Sequence, residues 1–342
     1  MTAAGIAGTG QYSGRGRPSV GPPVVSVTQQ ALDSSTASGT IFEAAGPQDL
    51  TGPENLSSVI TTERPTVTAQ LSAGQVEYRL ERRGEGTVLI FHGGHVRAGL
   101  ALGEEVFADL GYTVLAPSRP GYGRTPLATG TSAAGFADVV RQLCQQLDID
   151  RLAAVVGISA GGRTAVTMAA LYPEIVERLI LESAVGFLPW PDRRTRLGAN
   201  ILFAGATEGV TWGLVNALVR LAPDVGLRVL MRDMSTEPVR EVLAALTEED
   251  RATLVALFSQ MRSGQGFCND LHQVADVTSE VGQPTLIIAT RKDGAVPFAH
   301  AESLAAGIRN AKLVVSESDG HFIWFGVDYP SIASQIRSFL TH

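Results

Sequence analysis

The 342-residue sequence predicts an α/β fold: a mostly parallel, eight-stranded sheet flanked by helices, with an inserted helical cap. Three observations carry this expectation. Short apolar runs alternate with helical patterns from residue 65 onward. Between residues 186 and 283 the runs stop and only helical patterns continue. A glycine-flanked serine, Ser159, stands where one apolar run meets the next helix. Strands that alternate with helices pair in parallel, because each crossover helix returns the chain to the same end of the sheet.

Taken in order, residues 66–70 and 76–80 alternate like the strands of a hairpin, with Ser72-Ala73-Gly74-Gln75 as its turn. This hairpin is expected to add an antiparallel strand at one edge. Residues 87–91 form a continuous apolar run, the pattern of a strand buried on both faces. The runs at 112–116, 153–156, 179–181, 285–289 and 312–315 repeat it. Helical patterns at 101–110, 133–147, 161–171, 299–307 and 330–340 separate most of them. In the last, Ile332, Ile336, Phe339 and Leu340 share one face. Within the insertion, Val210, Leu214, Ala217, Leu218 and Leu221 share a face, and Leu254, Leu257, Phe258 and Met261 share another. Thr247 and Asp250 resemble a capping box with Asp in place of the usual Glu. Residues 63–185 and 284–342 are therefore expected to form the core. Residues 186–283 are expected to cap one end of the sheet, with Trp190, Trp212, Phe258 and Phe267 as candidate apolar contacts.

Residues 1–62 read as a flexible extension. They are rich in Gly, Ser, Thr, Ala and Pro and lack apolar periodicity; Arg15, Arg17, Asp33, Glu43, Asp49 and Glu54 are their charges. Such a segment buries too little surface to offset its ordering entropy. The first twenty residues lack the basic start and apolar core of a secretory signal, so a cytoplasmic location is expected. The net charge of −7 argues against nucleic-acid binding, since the chain brings no excess of cations to release counterions. No run reaches the roughly 18 apolar residues of a membrane-spanning helix. The two cysteines, Cys144 and Cys268, exclude a disulfide scaffold and multi-cysteine zinc patterns, and read as buried single thiols.

The chemistry centres on Gly157-Ile158-Ser159-Ala160-Gly161. A strand before it and a helix after it are what a G-x-S-x-G nucleophile elbow requires. The flanking glycines allow the sharp turn that lifts the hydroxyl clear of the sheet. A serine is a weak nucleophile until a base takes its proton. Of the six histidines, His321 follows the last strand and lies on the same sheet edge as Ser159. His342 ends the chain, His272 falls in the cap, and His300 starts a surface helix. Asp293, in the loop after the preceding strand, is the expected partner of His321, with Glu182 as the other carboxylate at a strand end. A tetrahedral intermediate also needs backbone N–H donors. Ala160 and Gly94, the latter in the His92-Gly93-Gly94-His95 loop, are the expected oxyanion donors. His95 lines the site or is a loop residue.

The chain order Ser159, Asp293, His321, the elbow and the His92-Gly93-Gly94 loop together resemble the α/β-hydrolase superfamily. Ser118-Arg119-Pro120-Gly121-Tyr122-Gly123-Arg124-Thr125 is similar to the family's Arg-Gly-Tyr/Phe-Gly segment after the fourth strand. The resemblance covers about residues 65–340 and places the insertion where the superfamily carries its lid. It implies the α/β-hydrolase fold and a Ser-His-Asp acyl-enzyme mechanism without cofactor or metal, on a small-molecule acyl substrate. A serine nucleophile separates the chain from dehalogenases and epoxide hydrolases. His95-Val96 stands where proline iminopeptidases carry Pro-Gly. Carbon–carbon bond hydrolases, perhydrolases, peptidases and low-turnover ligand receptors share the same motifs and stay open. So do a core or a pocket place for Trp324, and a monomer or a homodimer.

Overall fold

The computed structural model describes residues 63–191, 203, 205–272 and 274–341. The expectations for residues 1–62 and for His342 lie outside the described residues. Eight strands form one sheet: β1 (Val67–Leu71), β2 (Gly74–Glu81), β3 (Thr87–Phe91), β4 (Thr113–Pro117), β5 (Ala154–Ile158), β6 (Leu179–Glu182), β7 (Thr285–Thr290) and β8 (Ala311–Ser316). Their spatial order is β1-β2-β4-β3-β5-β6-β7-β8. The hairpin turn is shorter than its four-residue signature, since Leu71 already pairs with Gly74. Gly74 has φ +132, which a side chain rarely adopts. β2 is the antiparallel strand and β1 is the outer edge; every pairing from β4 to β8 is parallel.

The apolar runs follow from position. β3 to β7 are buried at every residue, whereas the edge strands β1 and β8 are partly exposed. A strand covered on both faces favours apolar side chains. One face packs against α2 (Ala133–Gln146), α3 (Gly162–Leu171) and α9 (Ala299–Gly307), through Phe136, Val140, Val166 and Leu304. The other packs against α1 (Glu105–Asp109) and α10 (Tyr329–Thr341), through Phe107, Ile332 and Ile336. α1 is shorter than the expected 101–110. Gly103 turns with φ +70 against Trp324, and Glu104 is drawn into a buried ion pair described below.

Between β6 and β7 lie α4 (Ala206–Leu221), α5 (Pro223–Leu230), α6 (Val239–Ala245), α7 (Glu248–Gln260) and α8 (Gly266–Asp270). Thr247 and Asp250 form a reciprocal capping box at the start of α7. Leu254, Leu257 and Phe258 of α7 are buried together with Trp212, Val219 and Leu227. The shared face of Val210, Leu214 and Leu221 is exposed instead, at 66 to 86 %. None of the helices among the described residues is long and apolar enough to cross a membrane.

This topology selects the place of the site. The chain steps from β3 outward to β4, then crosses to β5 on the other side of β3. A crevice opens at such a switch point, outside the carboxyl ends of the strands. Phe91 pairs with Gly157 and Ile158 with Glu182, so the loops after β3, β5 and β6 emerge side by side.

Candidate active site

Ser159 leaves β5 with φ +48, a left-handed backbone that a non-glycine residue holds only under constraint. The constraint is close packing. A Cβ on Gly161 would stand 2.0 Å from the Phe91 carbonyl oxygen, and one on Gly157 2.6 Å from Ala165 Cβ. Gly162, unremarked in the sequence, is also tight, 2.8 Å from Ala184 Cβ. Any side chain at these positions would force the turn apart.

The structure brings Ser159, His321 and Asp293 together, from the loops after β5, β8 and β7. Ser159 Oγ lies 3.0 Å from His321 Nε2, and His321 Nδ1 lies 2.7 Å from Asp293 Oδ2. The other carboxylate oxygen of Asp293 accepts from the amides of Ala295 and Val296, both at 2.8 Å. The His321 backbone is fastened at both ends. Its N–H donates to Met234 O at 2.8 Å, and its carbonyl accepts from Ser183 Oγ at 2.9 Å. Met234 belongs to an insertion segment that also runs beside the loop carrying Asp293, where Thr236 N–H donates to Lys292 O and Ser235 bridges Asp293. Sequence reading missed this clamp, because nothing local marks Met234 or Ser235.

The loop after β3 lies against Ser159: a Cβ on Gly93 would be 3.0 Å from Ser159 Cβ. The amides of Gly94 and Ala160 donate to no backbone carbonyl among the described residues. His92, at the head of this loop, is held by a buried ion pair. Arg79 donates to Glu104 at 2.6 Å and to Ala98 O at 2.8 Å, and His92 Nε2 stands 2.8 Å from Glu104. The Arg79 charge beside it holds the Glu104 carboxyl down to about 2 against the cost of its burial. Removing the carboxylate would leave the Arg79 cation buried without a partner. Glu104→Ala is therefore expected to cost about 3–5 kcal/mol, read as a lower denaturant midpoint; a loss under about 1 kcal/mol would contradict it.

His95 also has positive φ, at +65. Its Nδ1 lies 2.7 Å from Ser263 Oγ, which accepts from Trp212 Nε1–H at 2.7 Å. Its ring packs on Phe267, Phe203 and Trp212. Burial and the Arg119 charge push it down to about 3, so it is a neutral packing residue that ties the loop to the insertion. Of the four aromatics singled out, Phe267 and Trp190 join Ala160 and Val296 in an apolar cluster. Phe258 instead packs on Phe322. A cavity of about 370 Å³ borders Ala160, with Phe136, Thr164 and Val274 in its wall. A larger one of about 870 Å³, around Arg151 and Glu177, lies at the opposite end of the strands, away from Ser159.

Glu182, the other carboxylate weighed for the His321 partner, is buried below the site and accepts from Trp324 Nε1–H at 3.2 Å. That contact gives Trp324 a core place. Burial lifts the Glu182 carboxyl to about 8, the Trp324 bond opposes this, and the nearby Glu105 adds to it. The folded chain thus keeps a proton that the unfolded chain, with its ordinary value of 4.5, has lost. The contribution to stability is full below about pH 4.5 and fades as pH rises through 8. His95 and His300, depressed to about 3 and about 4, have the opposite sign, and their effect ends near their ordinary 6.5. From pH 6.5 to 8.5 the melting temperature is therefore expected to fall, by at most about 1.4 kcal/mol of stability per pH unit for one proton. Glu182→Gln should flatten that slope; an equally steep decline in the variant would contradict it.

Two other expectations, for His300 and Cys268, change in the structure. His300 is buried rather than on a surface, because its Nδ1 accepts from the Gly186 amide. His272 is exposed. Cys268 is only half-buried, with its thiol on Phe203 O, while Cys144 is fully buried; both are free thiols.

Comparison with known proteins adds to this geometry. A family model described as alpha/beta hydrolase fold matches residues 86–326. The uncharacterized hydrolase YcgS of Bacillus subtilis is 34 % identical over 284 residues, covering 81 % of this chain and 99 % of its own. A 2-hydroxy-6-oxononadienedioate/2-hydroxy-6-oxononatrienedioate hydrolase of Pseudomonas putida is 27 % identical over 271 residues, covering 76 % of this chain and 89 % of its own. Among solved structures, an alpha/beta hydrolase fold protein from Nakamurella multipartita superposes with TM-score 0.69 at 22 % identity, covering 81 % of this chain and 99 % of that one.

Proposed function

Because the chain belongs to the α/β-hydrolase family, we propose that it cleaves a carboxylic ester or a similar small acyl compound through an acyl-enzyme on Ser159. The observation that carries this is the unbroken line from Asp293 through His321 to Ser159 Oγ, with contacts of 2.7 and 3.0 Å. Ser159 attacks the carbonyl while His321 Nε2 takes its proton. The amides of Gly94 and Ala160 receive the negative oxygen, and no backbone carbonyl among the described residues competes for them. His321 then protonates the leaving group and activates the water that releases the acid. Asp293 keeps Nδ1 protonated and stabilises the imidazolium. The helical insertion serves as the cap, with Phe267 and Trp190 supplying an apolar wall next to Ala160.

The test is hydrolysis of p-nitrophenyl esters from acetate to laurate, wild type beside Ser159→Ala. Serine-dependent multiple turnover is expected, and the chain-length optimum sizes the acyl pocket. A second reading, cleavage of a carbon–carbon bond, is favoured by the Pseudomonas putida relative, whose name describes a hydrolase of a 2-hydroxy-6-oxo dienedioate. Product analysis separates the two. Ester turnover that persists in Ser159→Ala would sink both.

A further inference from the structure

The oxyanion loop is not held by the sheet alone. Arg119, buried beneath it, donates from Nε to His92 O at 2.8 Å and from Nη2 to Gly93 O at 3.1 Å. A trans peptide unit is planar, with its C=O and N–H pointing in opposite directions. Drawing the Gly93 carbonyl toward Arg119 therefore turns the Gly94 N–H away from it. Gly93 itself abuts Ser159, so this peptide unit lies between the guanidinium and the nucleophile.

The counter-ion of Arg119 comes from the insertion. Asp270, at the end of α8, meets the guanidinium with both carboxylate oxygens, one at 2.9 Å and one in a shorter contact with Nη1. Tyr122 OH donates to the same carboxylate at 2.6 Å. The side chains of Arg119 and Asp270 are only 5 and 9 % exposed. No other carboxylate pairs with Arg119 among the described residues. Neighbouring insertion atoms fasten the same region: Arg262 N–H donates to His95 O, Gln265 N–H donates to Gly121 O, and Phe267 covers Gly94.

We propose that Asp270 is a positioning residue for the oxyanion site. Through Arg119 it sets the Gly94 amide, so that the insertion completes the oxyanion site as well as covering it. The proposal rests on the reading of Gly94 N–H as an oxyanion donor. Without Asp270 the buried guanidinium lacks its partner and is free to leave the two carbonyls, and the peptide unit can turn. Seating of the insertion and readiness for acyl transfer are then one event, because the contact that docks α8 also orients the donor.

The experiment compares full-length wild type with Asp270→Asn, Asp270→Glu and Ser159→Ala. Turnover of p-nitrophenyl acetate, inhibition by phenylboronic acid, whose boron takes up the serine oxygen to become a tetrahedral anion, and amide hydrogen exchange are measured on each. Asp270→Asn is expected to lower kcat about a hundredfold and to weaken the boronic acid by a similar factor, with KM changed little. Exchange should accelerate in residues 92–98 and stay unchanged in peptides from β5 and β6. Asp270→Glu, which keeps the charge, should recover at least about tenfold of the lost kcat. A merely structural role would lower the yield of folded protein without weakening the boronic acid in the folded fraction. Values of kcat and boronic acid affinity within about threefold of wild type would overturn the proposal, as would faster exchange spread over the whole sheet. If wild type shows no Ser159-dependent turnover, the ester-hydrolase reading fails by itself. Exchange in residues 92–98 then decides the positioning role alone, and no acceleration in Asp270→Asn overturns it.

Discussion

Ser159→Ala is expected to lower kcat for a p-nitrophenyl ester by about a million-fold, and His321→Ala by a similar factor. The reason is that in the proposed mechanism the two atoms do one job. Ser159 Oγ lies 3.0 Å from His321 Nε2, and neither the hydroxyl without its base nor the base without its nucleophile can form the acyl-enzyme. The double variant should therefore lose little more than either single one. Some rate should survive, since the Gly94 and Ala160 amides could still polarise a bound carbonyl for attack by water; about a thousandfold over the uncatalysed reaction is the usual remainder. The substitution removes one oxygen from a half-buried position, so the melting temperature should barely move. Steady-state kinetics on folded variants make the check. A Ser159→Ala enzyme within about tenfold of wild type would end the acyl-enzyme mechanism.

Much of this arrangement was legible in the sequence because its causes are local. β3, β5 and β7 lie in the sheet interior, so burial on both faces writes their apolar runs directly into the chain. The elbow is legible for the same reason: the close approach of Phe91 O to Gly161 and of Ala165 to Gly157 leaves room only for hydrogen. Ser159, Asp293 and His321 could be picked out because each follows a strand at the same end of a parallel sheet. What stayed hidden depends on partners far along the chain. Arg119 and Asp270 are 151 residues apart, and nothing near either marks the pair. The same holds for Ser263 on His95 and for Met234 on His321. In the insertion, helical periodicity located the faces but not their direction. Val210, Leu214 and Leu221 looked like a packing stripe, yet the apolar side chains that α4 buries include Trp212 and Val219. Periodicity reports that a helix is amphipathic; which face is covered depends on the neighbours it meets.

Asp293→Asn is expected to lower kcat by about ten-thousandfold while leaving the fold and KM nearly unchanged. The hydrogen bonds around this side chain dictate how. Oδ1 accepts from two backbone amides, Ala295 and Val296, that are fixed donors. An asparagine must answer them with its carbonyl oxygen, and so its NH2 group faces His321 Nδ1. That nitrogen then accepts rather than donates, its proton moves to Nε2, and the nitrogen facing Ser159 can no longer take the serine proton. The defect is in the tautomer rather than in position, so two signatures should accompany the loss. Raising the pH should recover part of the rate, because deprotonating the ring or the serine bypasses the wrong tautomer. Asp293→Ala, which leaves no NH2 to impose that tautomer, should fall short by no more than Asp293→Asn does. Glu182→Gln supplies the contrast, since Glu182 touches Trp324 and not His321, and its kcat at neutral pH should stay within about threefold of wild type. Should Glu182→Gln be the damaging change and Asp293→Asn the silent one, the acid that serves His321 would be Glu182.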